Sequence, residues 1–132
     1  MENLEKSELV IAKILGLLVE WGFRETQLKF DELGLEEEYR DFFMTCIEWL
    51  ETEGVIRVRE KIKLLDGTAT VVGPTLTAHG MVLLGKSLKI SGKDMTISAA
   101  VKRTAKETGF YTGLGDLGGG FVGGLFKSLG SG

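Results

Sequence analysis

The stretch Leu50–Leu84 constrains the fold more than any other part of this 132-residue chain. Gly54 can end a helix, and Val55–Arg59 then alternates apolar and basic side chains, as a half-buried strand does. Asp66-Gly67 is a strong hairpin-turn signal, so Thr68–Val72 is predicted to be the return strand. This part of the chain therefore contains a helix, a two-stranded hairpin and a closing helix.

The spacing of apolar residues predicts four helices around this hairpin. We expect them at Ser7–Trp21 with Ser7 as the cap, at Thr26–Leu33, from about 36 to Gly54 and, behind a Thr77 cap, at 78–88. A linker at 91–93 and a short basic helix at about 95–108 follow.

Two short segments in this region are similar to segments of MarR-like and PadR-like regulators. They are Trp49–Ile56 (WLETEGVI) and Leu76–Leu84 (LTAHGMVLL). Over residues 7–88 the order of elements resembles that of the winged-helix superfamily. The resemblance implies an α+β fold, mostly α: a winged helix-turn-helix domain with a two-stranded wing, then a short helix and a Gly-rich tail. The expected divisions are a winged-helix domain at 1–90, a linker with a short basic helix at 91–108 and a Gly/Phe-rich tail at 109–132.

The resemblance implies a DNA surface in which the third helix enters the major groove and the wing touches phosphate. The basic residues available for such contacts are Arg40 on the helix and Arg57, Arg59, Lys61 and Lys63 on the wing. The outward face of the helix is otherwise acidic, and residues 1–88 carry 16 acidic and 10 basic side chains. Because carboxylates repel phosphate, the sequence favours a protein partner, with DNA-binding regulation as the alternative. For the wing cations the favoured interpretation is a solvated strand face that protects a sheet edge.

A second motif, Gly80–Ser87, matches the P-loop pattern for nucleotide binding letter for letter. A P-loop needs small residues whose backbone N–H groups can surround phosphate, whereas residues 81–84 are Met-Val-Leu-Leu. The sequence therefore predicts buried helix here rather than a nucleotide site. The residues expected in the core are Met81, Val82, Leu84 and Leu88.

The single cysteine and the single histidine do not suggest a catalytic or metal-binding arrangement. Cys46 lies on the apolar face of the third helix, where a buried thiol is common, and His79 is expected at the surface. We therefore expect a non-enzymatic protein with no cofactor and no small-molecule substrate. One cysteine excludes an intramolecular disulfide and no secretory signal is apparent, so a cytoplasmic location is the default expectation.

The Gly-rich tail repeats large apolar residues every three or four positions, which is a helical stripe. With the basic residues before it, the candidate contacts to a partner or membrane are Lys102, Arg103, Lys106, Phe110, Leu114, Leu117, Phe121, Leu125, Phe126 and Leu129. At about 1 kcal/mol each, the glycines of 109–132 oppose a free helix. Three alternatives stay open. The tail folds on a protein partner, including a second copy in a homodimer; it lies on an anionic membrane surface; or it is a mobile end or packs back on its own domain.

Overall fold

The protein is described by a computed structural model that covers residues 2–90 and 92–107. It is an α+β fold with more helix than strand, as predicted, and its strands are antiparallel. The helices are α1 (Asn3–Trp21), α2 (Phe43–Thr52), α3 (Ala78–Leu84) and α4 (Ile97–Lys106). The strands are β1 (Gln27–Lys29), β2 (Ile56–Arg57), β3 (Glu60–Lys63), β4 (Ala69–Val72), β5 (Thr75–Leu76), β6 (Ser87–Ile90) and β7 (Lys93–Thr96). The predictions for residues 109–132 lie outside the described residues.

A three-stranded sheet in the order β1-β4-β3 contains the hairpin that the Asp66-Gly67 turn predicts. At this turn the Thr68 N–H donates to Oδ1 of the aspartate at 2.9 Å, and the glycine has a φ of 88°. Leu28, Val71 and Lys61 are direct partners across the three strands. Directly opposed residues share one face of a sheet, and Leu28 and Val71 are fully buried. Lys61 therefore lies on the same face of the sheet as these two buried residues, although Lys61 itself is exposed.

α1 lies at the centre of the core, and α4 packs against it in the antiparallel direction. Gly16 marks the closest approach, because a Cβ added there would lie 2.2 Å from the carbonyl oxygen of Val101 and 2.7 Å from the Cβ of Ala105. The α4 residues in the core are Ile97, Ala100 and Val101, and those of α1 include Leu9, Val10, Ile14, Leu15 and Leu18. The short helix predicted near 95–108 thus shares one core with α1.

The first helix begins earlier than predicted and ends where predicted. Ser7 is inside α1, not at its cap, and its hydroxyl donates to the carbonyl oxygen of Asn3 at 2.9 Å. Glu2 is the N-cap residue and makes no side-chain capping bond. Gly22 ends the helix with a φ of 66°, and its N–H donates to the Leu18 carbonyl. The sequence therefore predicted the C-terminal end of α1 correctly but not its N-terminal end.

The helix predicted at Thr26–Leu33 is wrong. The segment forms strand β1 and then a 3-10 turn at Phe30–Leu33. The reason is the pairing of β1 with β4, which buries Leu28 and leaves Gln27 and Lys29 exposed. Gly34 still ends the segment, in the left-handed region with a φ of 67°.

The remaining helices are shorter than predicted. The third starts as a 3-10 segment at Glu37–Phe42 before it becomes α2, and the fourth, α3, ends at Leu84 instead of 88. The Thr77 cap is confirmed, since its hydroxyl oxygen accepts a hydrogen bond from the Gly80 N–H at 2.9 Å. Of the predicted linker at 91–93, Gly92 lies between β6 and β7 with a φ of 79° and Lys93 begins β7, while position 91 is outside the described residues.

The predicted burial of α3 is correct on one side only. Leu84 is buried, but Met81 is 47% and Val82 66% exposed, so their assignment to the core was wrong. The inner side of the helix is fixed at Gly80, where an added Cβ would lie 2.1 Å from the carbonyl oxygen of Val55. Because Gly80 faces Val55, the side chains of Met81 and Val82 lie on the exposed side of the helix. The side chain of Leu88 is outside the described part of the molecule.

Candidate functional site

The predicted wing lysines, both exposed, contact α2. Lys61 lies opposite the buried Val71 in the sheet, and Lys63, two residues later, shares its face. The ammonium of Lys61 lies 2.7 Å from Oε1 of Glu51, and that of Lys63 lies 3.5 Å from Oε1 of Glu48. We call these four residues the α2–hairpin contact. It joins the hairpin to the helix that, by resemblance, would enter a DNA groove.

The α2–hairpin contact neutralises charge within the molecule. The hydrogen bond from Lys61 to Glu51 is the main cause that raises the pKa of the lysine above its ordinary value. Between the two elements lies a polar depression of about 320 Å³, lined by Glu48, Glu51, Thr52 and Lys61. A ligand that entered this depression would therefore meet two carboxylates as well as Lys61.

The other basic residues predicted for a nucleic-acid surface lie apart from this contact. Arg57 belongs to β2, which pairs with β5 and not with the three-stranded sheet. Arg59 follows the break between β2 and β3, and its Nη1 lies 3.3 Å from Oε1 of Glu25. Of the four predicted wing cations, only Arg57 forms no ion pair within residues 2–90 and 92–107. The four predicted wing cations therefore do not share one strand face, because the strand breaks at positions 58–59 and changes partner.

Arg40 is held by its neighbours rather than presented outward. Its guanidinium pairs with the carboxylates of Glu37 and Asp31 and lies 4.7 Å from the centre of the Phe30 ring. Phe30 in turn packs edge-to-face on Phe43, with ring centres 6.2 Å apart. The arginine thereby fixes the 3-10 segment before α2 to the turn after β1.

The two candidate reactive side chains differ in exposure, as the sequence predicts. Cys46 is buried between α1 and α2, and its Sγ lies 3.6 Å from the carbonyl oxygen of Ser7. Burial raises the pKa of this thiol to about 12, so it is not a nucleophile at neutral pH. His79 is exposed in the first turn of α3. Within the described residues, no group of three or more His, Cys, Asp or Glu side chains is arranged to hold a metal ion.

The sequence did not predict several apolar surfaces of the described residues, including these two. One is a groove of about 340 Å³ between the end of α1 and α3, which we call the apolar groove; its walls include Leu18, Val19, Phe23, Leu76, Met81 and Leu84. The other is the tip of the β3–β4 hairpin, where Leu64 and Leu65 are exposed. A signal for each was present: Phe23 directly follows the helix-ending Gly22, and the two leucines directly precede the Asp66-Gly67 turn.

The basic side of α4 is exposed, opposite the side that packs on α1. Lys102, Arg103 and Lys106 all lie at the surface, and Arg103 is 3.3 Å from a carboxylate oxygen of Glu107. The apolar residues predicted to continue this contact surface, from Phe110 to Leu129, lie outside the described residues. None of the helices in the described part combines the length and the apolar character needed to cross a membrane.

Comparison with known proteins identified no similar protein. No family model matches the chain, and no curated protein or solved structure is significantly similar to it. The surfaces described above therefore have to be interpreted from their own chemistry.

Proposed function

We propose that this chain is a non-enzymatic winged-helix module that binds a protein partner through α2 and the β3–β4 hairpin. The element order supports the winged-helix assignment: a helix, a strand, a helical turn, a helix and a hairpin, with the sheet order β1-β4-β3. In this interpretation the 3-10 turn Phe30–Leu33 takes the place of the second helix. The assignment agrees with the resemblance that Trp49–Ile56 and Leu76–Leu84 carry.

The α2–hairpin contact is the observation on which the choice of partner rests. A winged helix that binds DNA needs donors and free positive charge on these two elements. Here Lys61 and Lys63 are already paired with acids of the helix, and Arg40 and Arg59 are paired as well. DNA would have to compete with these carboxylates for every lysine that it contacted.

The same face suits a protein surface that combines an apolar pocket with basic residues. At the hairpin tip the side chain of Leu65 is fully exposed, and Leu64 beside it is more than half exposed. Burying each leucine in a partner would contribute roughly 1.5–3 kcal/mol. On α2 the half-exposed Glu48 also contacts Lys63, and the exposed Glu53 follows the helix as its C-cap residue. A basic rim on the partner would complement these acids and fix the register of docking.

A DNA-binding titration with charge variants tests this proposal. Fluorescence anisotropy of a labelled duplex is measured with the full chain, with E48Q/E51Q and with the matched control D41N/E53Q, over a range of salt concentrations. We expect no binding by the wild type and salt-sensitive binding by E48Q/E51Q, because its two lysines are released. The control removes the same charge without releasing a hairpin lysine, so it is expected to behave like the wild type.

The opposite result would favour the alternative, a DNA-binding regulator. The observation in its favour is Arg57, which is exposed and forms no ion pair with another described residue. Wild-type binding with a steep negative salt slope, about 0.9 per phosphate contacted, would overturn the protein-binding proposal. Loss of that binding in R57Q would then identify the phosphate contact.

The protein-binding arm is tested at the hairpin tip. Proteins retained by the immobilised full chain from nuclease-treated extract are compared with those retained by L65S and by T68S, a matched change on the same hairpin. A partner docked on the tip is lost from L65S and retained by T68S. Equal retention by all three proteins would contradict the proposed surface.

A further inference from the structure

The apolar groove has the properties of a binding site. Its walls come from α1, the β5 strand, α3 and the start of α4, and they are mainly Leu, Val, Met and Phe side chains. Phe23 and Met81 on the walls are among the exposed large apolar residues of the described chain. Gathering such residues at one concave site is typical of a surface that a ligand covers.

We propose that the occupant of the apolar groove is the apolar stripe of the chain's own C-terminal segment, Leu114 to Phe126. The stripe supplies Leu114, Leu117, Phe121, Leu125 and Phe126, the side-chain types that the groove would exclude from water. This inference concerns a different surface from the α2–hairpin contact and does not rest on the proposed function.

The position where α4 ends makes this occupant reachable. α4 is antiparallel to α1: Ser98 lines the groove beside Leu18 and Gly22, whereas Ala105 contacts Lys13. The chain therefore leaves α4 near Lys13 and must return past about nine residues of α1. At about 1.5 Å per helical residue that distance is roughly 14 Å. An extended chain covers it in about five residues, at roughly 3.3 Å each.

The length of the segment and its covalent attachment favour the same molecule over a second copy. Leu114 stands seven positions after Glu107, the last described residue, so the whole stripe lies within reach of the groove. A tethered ligand on a short linker has an effective concentration of about a millimolar. A second copy at micromolar concentration is at a disadvantage for the same groove.

Photocrosslinking of the full chain tests the proposal. Met81→p-benzoylphenylalanine places the reactive group on the groove wall at an exposed position, so the substitution is not expected to disturb the fold. Ile62→p-benzoylphenylalanine is the control, because Ile62 is exposed on the outer face of the hairpin. Equal amounts of ¹⁴N-labelled and ¹⁵N-labelled chains are mixed, irradiated and analysed by peptide mass spectrometry.

We expect Met81→p-benzoylphenylalanine to crosslink to a peptide from 108–132 with one isotope composition throughout, and the control to give no such product. Crosslinks that join a ¹⁴N-labelled peptide to a ¹⁵N-labelled peptide would overturn the proposal, because they would show that a second copy occupies the groove. Absence of a crosslink to 108–132, or an equal yield from the control position, would also overturn it.

A second pair of variants shows whether the stripe itself is the ligand. In the Met81→p-benzoylphenylalanine background, L117D/F121D places two charges on the stripe, and T112D/S128D places the same charges beside it. The proposal requires loss of the crosslink from the first and retention in the second. An unchanged yield from L117D/F121D would contradict it.

Discussion

The ammonium of Lys13 donates a hydrogen bond to the carbonyl oxygen of Ala105, 3.3 Å away, and so ties α1 to the C-terminal end of α4. The side chain is 4% exposed, and burial lowers the pKa of the ammonium below its ordinary value. Its position at the negative end of the α4 dipole is favourable for a cation. Desolvation therefore disfavours the charged form of this buried lysine, whereas the C-terminal end of α4 favours it.

Two substitutions of Lys13 distinguish how its charge and its packing each contribute to stability. We expect Lys13→Met to change the free energy of unfolding at pH 7 by less than about 1.5 kcal/mol, because the apolar stem is kept and the buried charge is removed. Lys13→Ala should cost about 2–4 kcal/mol, since it leaves a cavity beside α4. Urea unfolding of the three proteins measures both effects, and equal losses would contradict the distinction.

The lowered pKa of Lys13 also predicts a pH dependence. Between the folded-state pKa and the ordinary value of 10.5 the unfolded chain binds more protons, so stability relative to Lys13→Met rises with pH across that interval. The measurement is urea unfolding of both proteins at several pH values up to 10.5. If the unfolding free energies of the two proteins changed in parallel with pH, the ammonium would not be desolvated.

Gly16→Ala should destabilise the protein although alanine is the better helix former. The added Cβ would meet the Val101 carbonyl oxygen at 2.2 Å, so α4 has to move away. We expect a loss of about 1–3 kcal/mol, against the gain of about 1 kcal/mol that alanine normally gives in a helix. Gly85→Ala is the control, because its nearest atoms lie at 3.5 Å. A stabilised Gly16→Ala would mean that α4 does not approach α1 this closely.

The Glu51–Lys61 ion pair should contribute little to stability in spite of its 2.7 Å distance. Both side chains are partly exposed, so solvent screens the pair. A double-mutant cycle with E51Q and K61Q should give a coupling energy below about 1 kcal/mol that decreases with salt. The same cycle with K29Q, on the outer face of the sheet, should give no coupling. Equal coupling in both cycles would place Lys61 away from Glu51.

Cys46 should resist modification until the protein opens. Its thiol is buried and its pKa is raised from 9.0 to about 12, so the thiolate is scarce at pH 8. We expect the reaction with a disulfide reagent to be slow in buffer and to reach the rate of a free thiol in urea. Thr45→Cys in a Cys46→Ala background, with its thiol at an exposed position, should react at once. Similar rates for both cysteines would contradict the burial.

The same pKa predicts a loss of stability at high pH. Because the folded state holds the thiol proton between pH 9 and about 12 while the unfolded state releases it, the contribution of Cys46 is complete below pH 9 and declines above it. Comparing the unfolding of the wild type and Cys46→Ala at pH 8 and pH 10 measures this difference. A constant difference would show a solvated thiol.

The features that the sequence could predict depend on local chemistry. Gly22 ends α1, the Asp66-Gly67 turn closes the hairpin and Thr77 caps α3 because each needs only its neighbours within a few residues. Burial of Cys46 followed in the same way from the apolar side of one helix.

The features that it missed depend on distant partners. Thr26–Leu33 has the composition of a short helix, but Leu28 pairs with Val71, more than forty positions away, and this pairing decides the structure. The position of Lys61 on the α2 side of the sheet has the same origin. Alternation in the sequence separates two strand faces, but only the register with Val71 shows which face meets α2.

The contact between Gly16 and Val101 has a consequence for synthesis. At about 5–20 residues per second a ribosome adds Val101 roughly 4–17 s after Gly16. The β3–β4 hairpin, whose strands are neighbours in the chain, can form within about 1–10 μs of leaving the exit tunnel. The part of α1 around Gly16 that packs on α4 therefore stays uncovered until the end of synthesis, after the elements that cover the rest of its apolar side have been made.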